Sequence, residues 1–293
     1  MSVVAPAGFV AGGVACGIKP SGDADLALVA TADGAAVAAA GVFTQNLVVA
    51  APVVVSRRHL AATGGQAAAV VLTSGNANAG TGARGEADAE QMCALAAGAI
   101  GAEPDAVLVC STGLIGHALP MDALHAGIPA VAAARGAAPA QGIAAAEAIM
   151  TTDTRRKETV VRGAGFVVGG MAKGAAMLAP DMATMLAVLT TDAEVDPGTL
   201  RDVLQSGVAD SFNAMTIDGC TSTNDTVLLL ANGRAGAPDP AAFAAAAAEA
   251  CLDLATQMVG DAEGHTKVVN VRVTGAASDD EARRAARKVA ESQ

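Results

Sequence analysis

Four polar clusters interrupt a largely apolar chain: Thr73-Ser74-Gly75-Asn76-Ala77-Asn78-Ala79, Cys110 to Gly116, Met150-Thr151-Thr152-Asp153-Thr154, and Asp218 to Thr226. Gly, Asn, Asp, Ser and Thr dominate turns for backbone reasons, so any one cluster alone reads as a strand-terminating turn. Taken together they offer hydroxyls, carboxamides and backbone donors that could converge at one end of a sheet, where α/β proteins tend to carry their sites. A fifth segment, Lys173 to Leu189, differs in kind. It runs from a lysine through a Pro180-Asp181 turn to one hydroxyl, Thr184, that opens a long apolar strand. As a β-branched residue Thr184 is a good strand former. Chemically, a threonine there becomes a nucleophile if cleavage before it frees its own α-amine, whose pKa of about 7.7–8.0 suits a local base.

Other chemistries have little to stand on. The histidines His59, His117, His125 and His265 are dispersed, and H-E-x-x-H, Walker and G-x-S-x-G signatures are absent. Five scattered cysteines show no C-x-x-C or Cys/His spacing, which suggests neither a zinc site nor a disulfide framework. Cys110, beside Ser111-Thr112-Gly113, is a second nucleophile candidate, although a buried cysteine at a strand end is the commoner reading.

Composition narrows the partners. The 293 residues are 52% hydrophobic and 16% charged, which excludes disorder and allows a large core. Only 2% are aromatic and the net charge is −11, whereas nucleic-acid binders need a basic footprint and stacking platforms. The apolar start, Met1 to Cys16, lacks the basic n-region of an export signal because the first cation is Lys19. No run of 18 apolar residues suggests a membrane span. These features together predict a cytoplasmic protein without nucleic-acid or membrane partners.

The elements that must position the clusters alternate. Strands are expected at Leu26 to Ala30, Ala36 to Thr44, Ala50 to Ser56, Ala68 to Thr73, Ala106 to Cys110, Thr159 to Val161, Gly165 to Gly169, Met185 to Thr191, Asp225 to Ala231 and Lys267 to Thr274. Helices are expected at Arg84 to Ala97, Met121 to Ala134, Ala140 to Ile149, Pro197 to Phe212, Pro240 to Val259 and Asp279 to Ser292. This alternation is that of a layered α/β protein, with the turn-rich stretch Asn232 to Pro240 as the best candidate boundary.

Lys173 to Leu186 resembles the signature around the autoprocessing threonine of the ornithine acetyltransferase (glutamate N-acetyltransferase, ArgJ) family. Ala40 to Asn46, Ser74 to Ala79, Ser111 to Gly116, Ile149 to Thr154, Ser211 to Asn213 and Thr221 to Asn232 resemble that family's other blocks, in its order. The resemblance implies an αββα sandwich of the DmpA/ArgJ-like type over residues 1–240. A smaller C-terminal α/β domain would begin at 241. It implies that the chain cuts itself between Ala183 and Thr184 into α and β chains, assembled as a heterotetramer. Thr184 would be the nucleophile, Thr112 and Gly113 the oxyanion hole, and Thr151, Lys173, Thr184 and Glu263 the substrate-binding residues.

The implied reaction is acetyl transfer from N-acetylornithine to glutamate in arginine biosynthesis. It needs no cofactor, with acetyl-CoA an additional donor in a bifunctional variant. Two alternatives share the fold: an N-terminal-nucleophile amidase acting on another acylated amino compound, and an inactive fragment. Ala175-Ala176 stands where the family usually has Ser-Gly, and Gly80 where it has Cys. Family members continue beyond the block ending at Gln293, so an incomplete C-terminal domain and an incomplete substrate site are expected.

Overall fold

The computed structural model describes residues 2–176 and 185–292. In chain order the first part holds β1 (Phe9–Val14), β2 (Leu26–Thr31), β3 (Val37–Phe43), α1 (Ala51–Ala62), β4 (Gln66–Ala67), β5 (Ala69–Asn76), α2 (Gly82–Ile100) and β6 (Val107–Leu114). Then come α3 (Met121–Ala134), α4 (Pro139–Ala148), β7 (Lys157–Arg162), β8 (Val167–Lys173), β9 (Leu186–Ala193), α5 (Pro197–Ala209), β10 (Thr226–Gly236), α6 (Pro240–Val259) and α7 (Asp279–Ala290).

Two sheets form, one of order β1-β2-β5-β6 and one of order β4-β3-β10-β9-β8-β7. Most neighbours are antiparallel, but β5/β6 and β9/β10 are parallel. Parallel neighbours need a crossover, and α2 and α5 supply one for each pair.

The central strands read as continuous apolar runs because both of their faces are buried. In β2, Ala27 and Val29 face the space between the sheets while Leu26, Leu28 and Ala30 face helices. The same alternation places Val70, Leu72, Leu108, Leu186, Val188, Leu228 and Leu230 between the sheets. The outer face of the four-stranded sheet is covered by α2 and α3 through Met92, Ala96, Leu124 and Ile128. On the six-stranded sheet, α5 and α6 contribute Leu200, Leu204, Phe243, Leu254 and Met258. The result is an αββα sandwich.

Helix α6, which opens the expected second unit at 241, packs in this outer layer against α5, β7 and β8. It is long and apolar enough to cross a membrane by composition, yet its apolar face is the one turned to the sheet.

Three local expectations are corrected. The Ala50 to Ser56 segment is the start of helix α1, with Pro52 in its first turn. Tertiary packing overrides the β-branched run Val53-Val54-Val55, because α1 closes the exposed edge of β6. The Ser56 hydroxyl donates to the Val109 carbonyl at 2.7 Å and accepts from the Val109 N–H at 2.9 Å. Phe9–Val14, read only as part of an apolar N-terminus, is edge strand β1. Its Gly13 lets α4 approach, since a Cβ there would overlap the Ala144 carbonyl oxygen. Finally, Lys267 to Thr274 forms no strand, and Val269 is 76% exposed. An alternating pattern has no ladder to join unless a sheet edge meets it, and none does among the described residues.

Candidate active site

The parallel strands β5 and β6 end where β9 and β10 begin, and the polar clusters meet at that seam. Thr44 Oγ1 donates to the Ser222 carbonyl at 2.7 Å, and Asn46 Nδ2 to the Thr221 carbonyl at 3.0 Å. Buried Asn224 joins the two sheets, donating from Nδ2 to the Ala77 carbonyl at 2.6 Å and the Ser111 carbonyl at 2.9 Å. Thr73 Oγ1 donates to Ser111 Oγ at 2.8 Å. The end of β6 is thereby held against the start of β10.

Thr112 and Gly113 lie on that end of β6. Gly113 has φ +131°, and a Cβ would overlap the backbone of Gly75 on the neighbouring strand, so only glycine fits. Thr112 is 1% exposed and its Oγ1 accepts from Lys173 Nζ at 3.2 Å. Lys173 closes β8 and is itself 3% exposed. Burial lowers its pKa, an effect partly opposed by the charge of Asp153. The Thr112 hydroxyl is its hydrogen-bond partner among the described residues.

Lys173 connects onward through its chain neighbours. Gly174 N–H donates to Asp153 Oδ1 at 2.7 Å, Thr151 N–H donates to Asp153 Oδ2 at 3.0 Å, and Glu263 N–H donates to the Ala175 carbonyl at 2.7 Å. Burial works to raise the Asp153 pKa, but the charges of Lys173 and Lys157 outweigh it and hold the carboxyl below its usual range. A cavity of about 810 Å³ opens over Thr151, Asp153, Thr154, Lys19, Arg155 and Glu158. Thus Thr112, Gly113, Lys173, Thr151 and Glu263 fall within one hydrogen-bonded region. Ala183 and Thr184 lie outside the described residues.

Residue 185, bonded to Thr184, is described. Met185 N–H donates to the buried Asp225 carboxyl, to Oδ1 at 2.8 Å. Burial drives the Asp225 pKa well above the usual carboxylate range. Cys110, the second nucleophile candidate, is buried and its thiol is pushed up to about 12, chiefly by burial, so it is not a thiolate near neutral pH.

Sequence reasoning gave no role to Asn224, Asp225, Lys157 or Asp261. The first two stood in a quoted cluster, and Lys157 stands four residues after Asp153. Asp261, 104 residues from Lys157, carried no local signal.

The chain is similar to known proteins in sequence and in fold. The chain is 50% identical over 291 residues to the arginine biosynthesis bifunctional protein ArgJ of Thermobifida fusca, spanning 99% of this chain and 75% of that one. It is similar to the crystal structure of ornithine acetyltransferase in complex with ornithine from Mycobacterium tuberculosis, at 45% identity and TM-score 0.55. That match covers 61% of this chain and 94% of the other. An L-aminopeptidase D-ala-esterase/amidase from Ochrobactrum anthropi, a variant of the Ntn hydrolase fold, is 13% identical. It matches at TM-score 0.51 over 90% of this chain and 88% of its own, a likeness of fold alone. Residues 10–293 match the ArgJ family as a whole, and with half of its residues identical across nearly its full length, the chain belongs to that family.

Proposed function

We propose that the chain transfers the acetyl group of N2-acetyl-L-ornithine to L-glutamate, a step of arginine biosynthesis, through an acetyl ester on Thr184. The observation that carries this reading is the buried contact of the Thr112 hydroxyl with the Lys173 ammonium at 3.2 Å, in a chain half identical to ArgJ proteins. Lysine has three donors and no acceptor, so the Thr112 oxygen accepts and its own proton is not used in that contact. A hydroxyl polarised by an ammonium, beside a glycine N–H, suits the charge that develops on a carbonyl oxygen under attack.

Self-cleavage between Ala183 and Thr184 frees the Thr184 α-amine. This amine takes the hydroxyl proton as Oγ attacks the acetyl carbonyl, and Thr112 and Gly113 hold the oxyanion. The carbon–nitrogen bond then breaks, and the proton passes to the leaving α-amine of ornithine. Glutamate enters the same place, its amine attacks the ester, and Thr184 Oγ recovers a proton. The remaining Lys173 donors suit the substrate carboxylate, while Thr151 and the Glu263 carboxylate suit its polar and cationic groups. No cofactor enters these steps, and acetyl-CoA is an additional donor only in a bifunctional variant. The α and β chains form a heterotetramer in the cytoplasm.

Mass spectrometry of the purified protein with a product assay tests the reading. The parent resolves into two chains, the second starting at Thr184, and yields ornithine and N-acetylglutamate in equal amounts. Thr184→Ala stays single and yields neither. Steady ornithine release without glutamate marks a hydrolase instead, and an intact parent that transfers nothing overturns the proposal.

A further inference from the structure

Beneath the loop that carries Thr151, one ammonium is enclosed with two carboxylates. Lys157 opens β7 and is fully buried. Its Nζ donates to Asp153 Oδ1 and to Asp261 Oδ2, each at 2.6 Å, and to the Arg155 carbonyl at 3.2 Å. All three of its donors are therefore engaged.

Each carboxylate reaches further. Asp153 accepts from the N–H groups of Thr151 and Gly174. Asp261 accepts from the Thr154 N–H at 3.0 Å and from the Thr154 hydroxyl. Burial works to raise the Asp261 pKa, but Lys157 and Thr154 outweigh it and hold it low. Two residues beyond Asp261, Glu263 N–H is bonded to the Ala175 carbonyl. One buried charge thus draws together three segments distant in sequence: the 151–154 loop, the chain after Lys173, and the turn before Glu263.

Stability alone is a poor reason for this cluster, because apolar residues of equal volume commonly serve as well as a buried ion pair. What they do not supply is direction. Carboxylate oxygens fixed on particular N–H groups set where Thr151, Gly174 and Thr154 stand.

We propose that Lys157, with Asp153 and Asp261, is the positioning device of the substrate-binding face and sets the spacing of Thr151, Lys173 and Glu263. The inference rests on the reading of those three as the groups that hold the amino-acid part of both substrates. In a two-step transfer donor and acceptor use the same face, so a change in its spacing alters both KM values together.

Asp261→Asn tests this. It preserves side-chain size and an acceptor for Thr154 while removing one negative partner of Lys157. The expected kinetic result is a rise in KM for N-acetylornithine and for glutamate by the same factor, roughly 10–100-fold, with a much smaller change in kcat. A lowered melting midpoint with both KM values unchanged shows a merely structural role and overturns the proposal.

Amide hydrogen exchange on the same variant gives a readout that needs no activity. Thr151 and Gly174 bond to Asp153 and not to Asp261, so the proposal expects their amides to lose protection along with those of Thr154 and Glu263. Loss confined to Thr154 and to residues 260–264 overturns it. A parent chain that transfers no acetyl group refutes the functional reading instead, while exchange still decides whether Lys157 couples the segments.

Discussion

Replacing Thr112 by valine removes one hydroxyl and keeps the side-chain shape, in a place where that hydroxyl has two separable uses. In the resting protein it accepts from the buried Lys173 ammonium at 3.2 Å. Losing a partner there costs about 1–3 kcal/mol of stability, the desolvation penalty of a buried polar group left unpaired. In the proposed transfer the hydroxyl proton meets the oxyanion, and deleting one such donor lowers kcat by roughly 10²–10³, about 2.7–4 kcal/mol. The two effects appear in different measurements. Initial rates with N-acetylornithine and glutamate each varied should show kcat and kcat/KM falling together at constant KM, the mark of an interaction made only in the transition state. Thermal unfolding should show the smaller loss in stability. Thr112→Ser keeps the hydroxyl and retains most of the rate. If Thr112→Val keeps kcat within a factor of about three, or if its loss lies wholly in KM, the oxyanion role is wrong.

Asp225→Asn isolates one titration. Because burial raises the folded pKa of Asp225, its stabilising contribution is full below the unfolded value of about 3.9 and declines as pH rises through the folded value. The parent should therefore lose stability relative to the variant with increasing pH, by at most about 1.4 kcal/mol per pH unit. The depressed carboxyls Asp25, Asp153 and Asp261 are present in both proteins and cancel in the difference. Paired thermal melts across that range decide it, and a constant difference would mean that Asp225 binds its proton equally in the folded and unfolded chains, so that its pKa is not raised. In the core, Leu228→Ala empties a fully buried position between the sheets and should cost about 2–5 kcal/mol by denaturant unfolding. Leu47→Ala, at a residue 98% exposed, should stay within about 0.5 kcal/mol, and equal effects would place the inter-sheet core elsewhere.

The strands of the sandwich were legible because burial on both faces leaves an uninterrupted apolar run, as in Leu26 to Ala30 or Asp225 to Ala231. Helix α6 was legible because Phe243, Cys251, Leu254 and Met258 repeat at helical spacing. Where local pattern and tertiary partner disagree, the partner decides. Val53-Val54-Val55 is helical because the Ser56 hydroxyl and the ring of His59 satisfy the edge of β6, and Lys267 to Thr274 stays unpaired because no edge meets it. The site follows the same rule. Thr112 and Lys173 stood in recognisable blocks, but their contact spans 61 residues, and nothing near Asp261 hints that it shares an ammonium with Asp153.

The two buried lysines of the seam differ in how their donors are used. Lys157 and Lys173 are two buried cations, and Asp153 and Asp261 are two anions held below their usual range. Asp225, the third acid buried there, has its pKa driven well above the usual range by burial. Lys157 uses all three on protein acceptors, whereas Lys173, equally buried, meets the Thr112 hydroxyl among the described residues. In the proposed transfer an incoming carboxylate finds its partner at Lys173, beside the hydroxyl assigned to the reacting carbonyl. Lys157 fixes the surrounding backbone, and a substitution that moved an anion from Lys157 to Lys173 would fill the substrate's place while leaving the net charge unchanged.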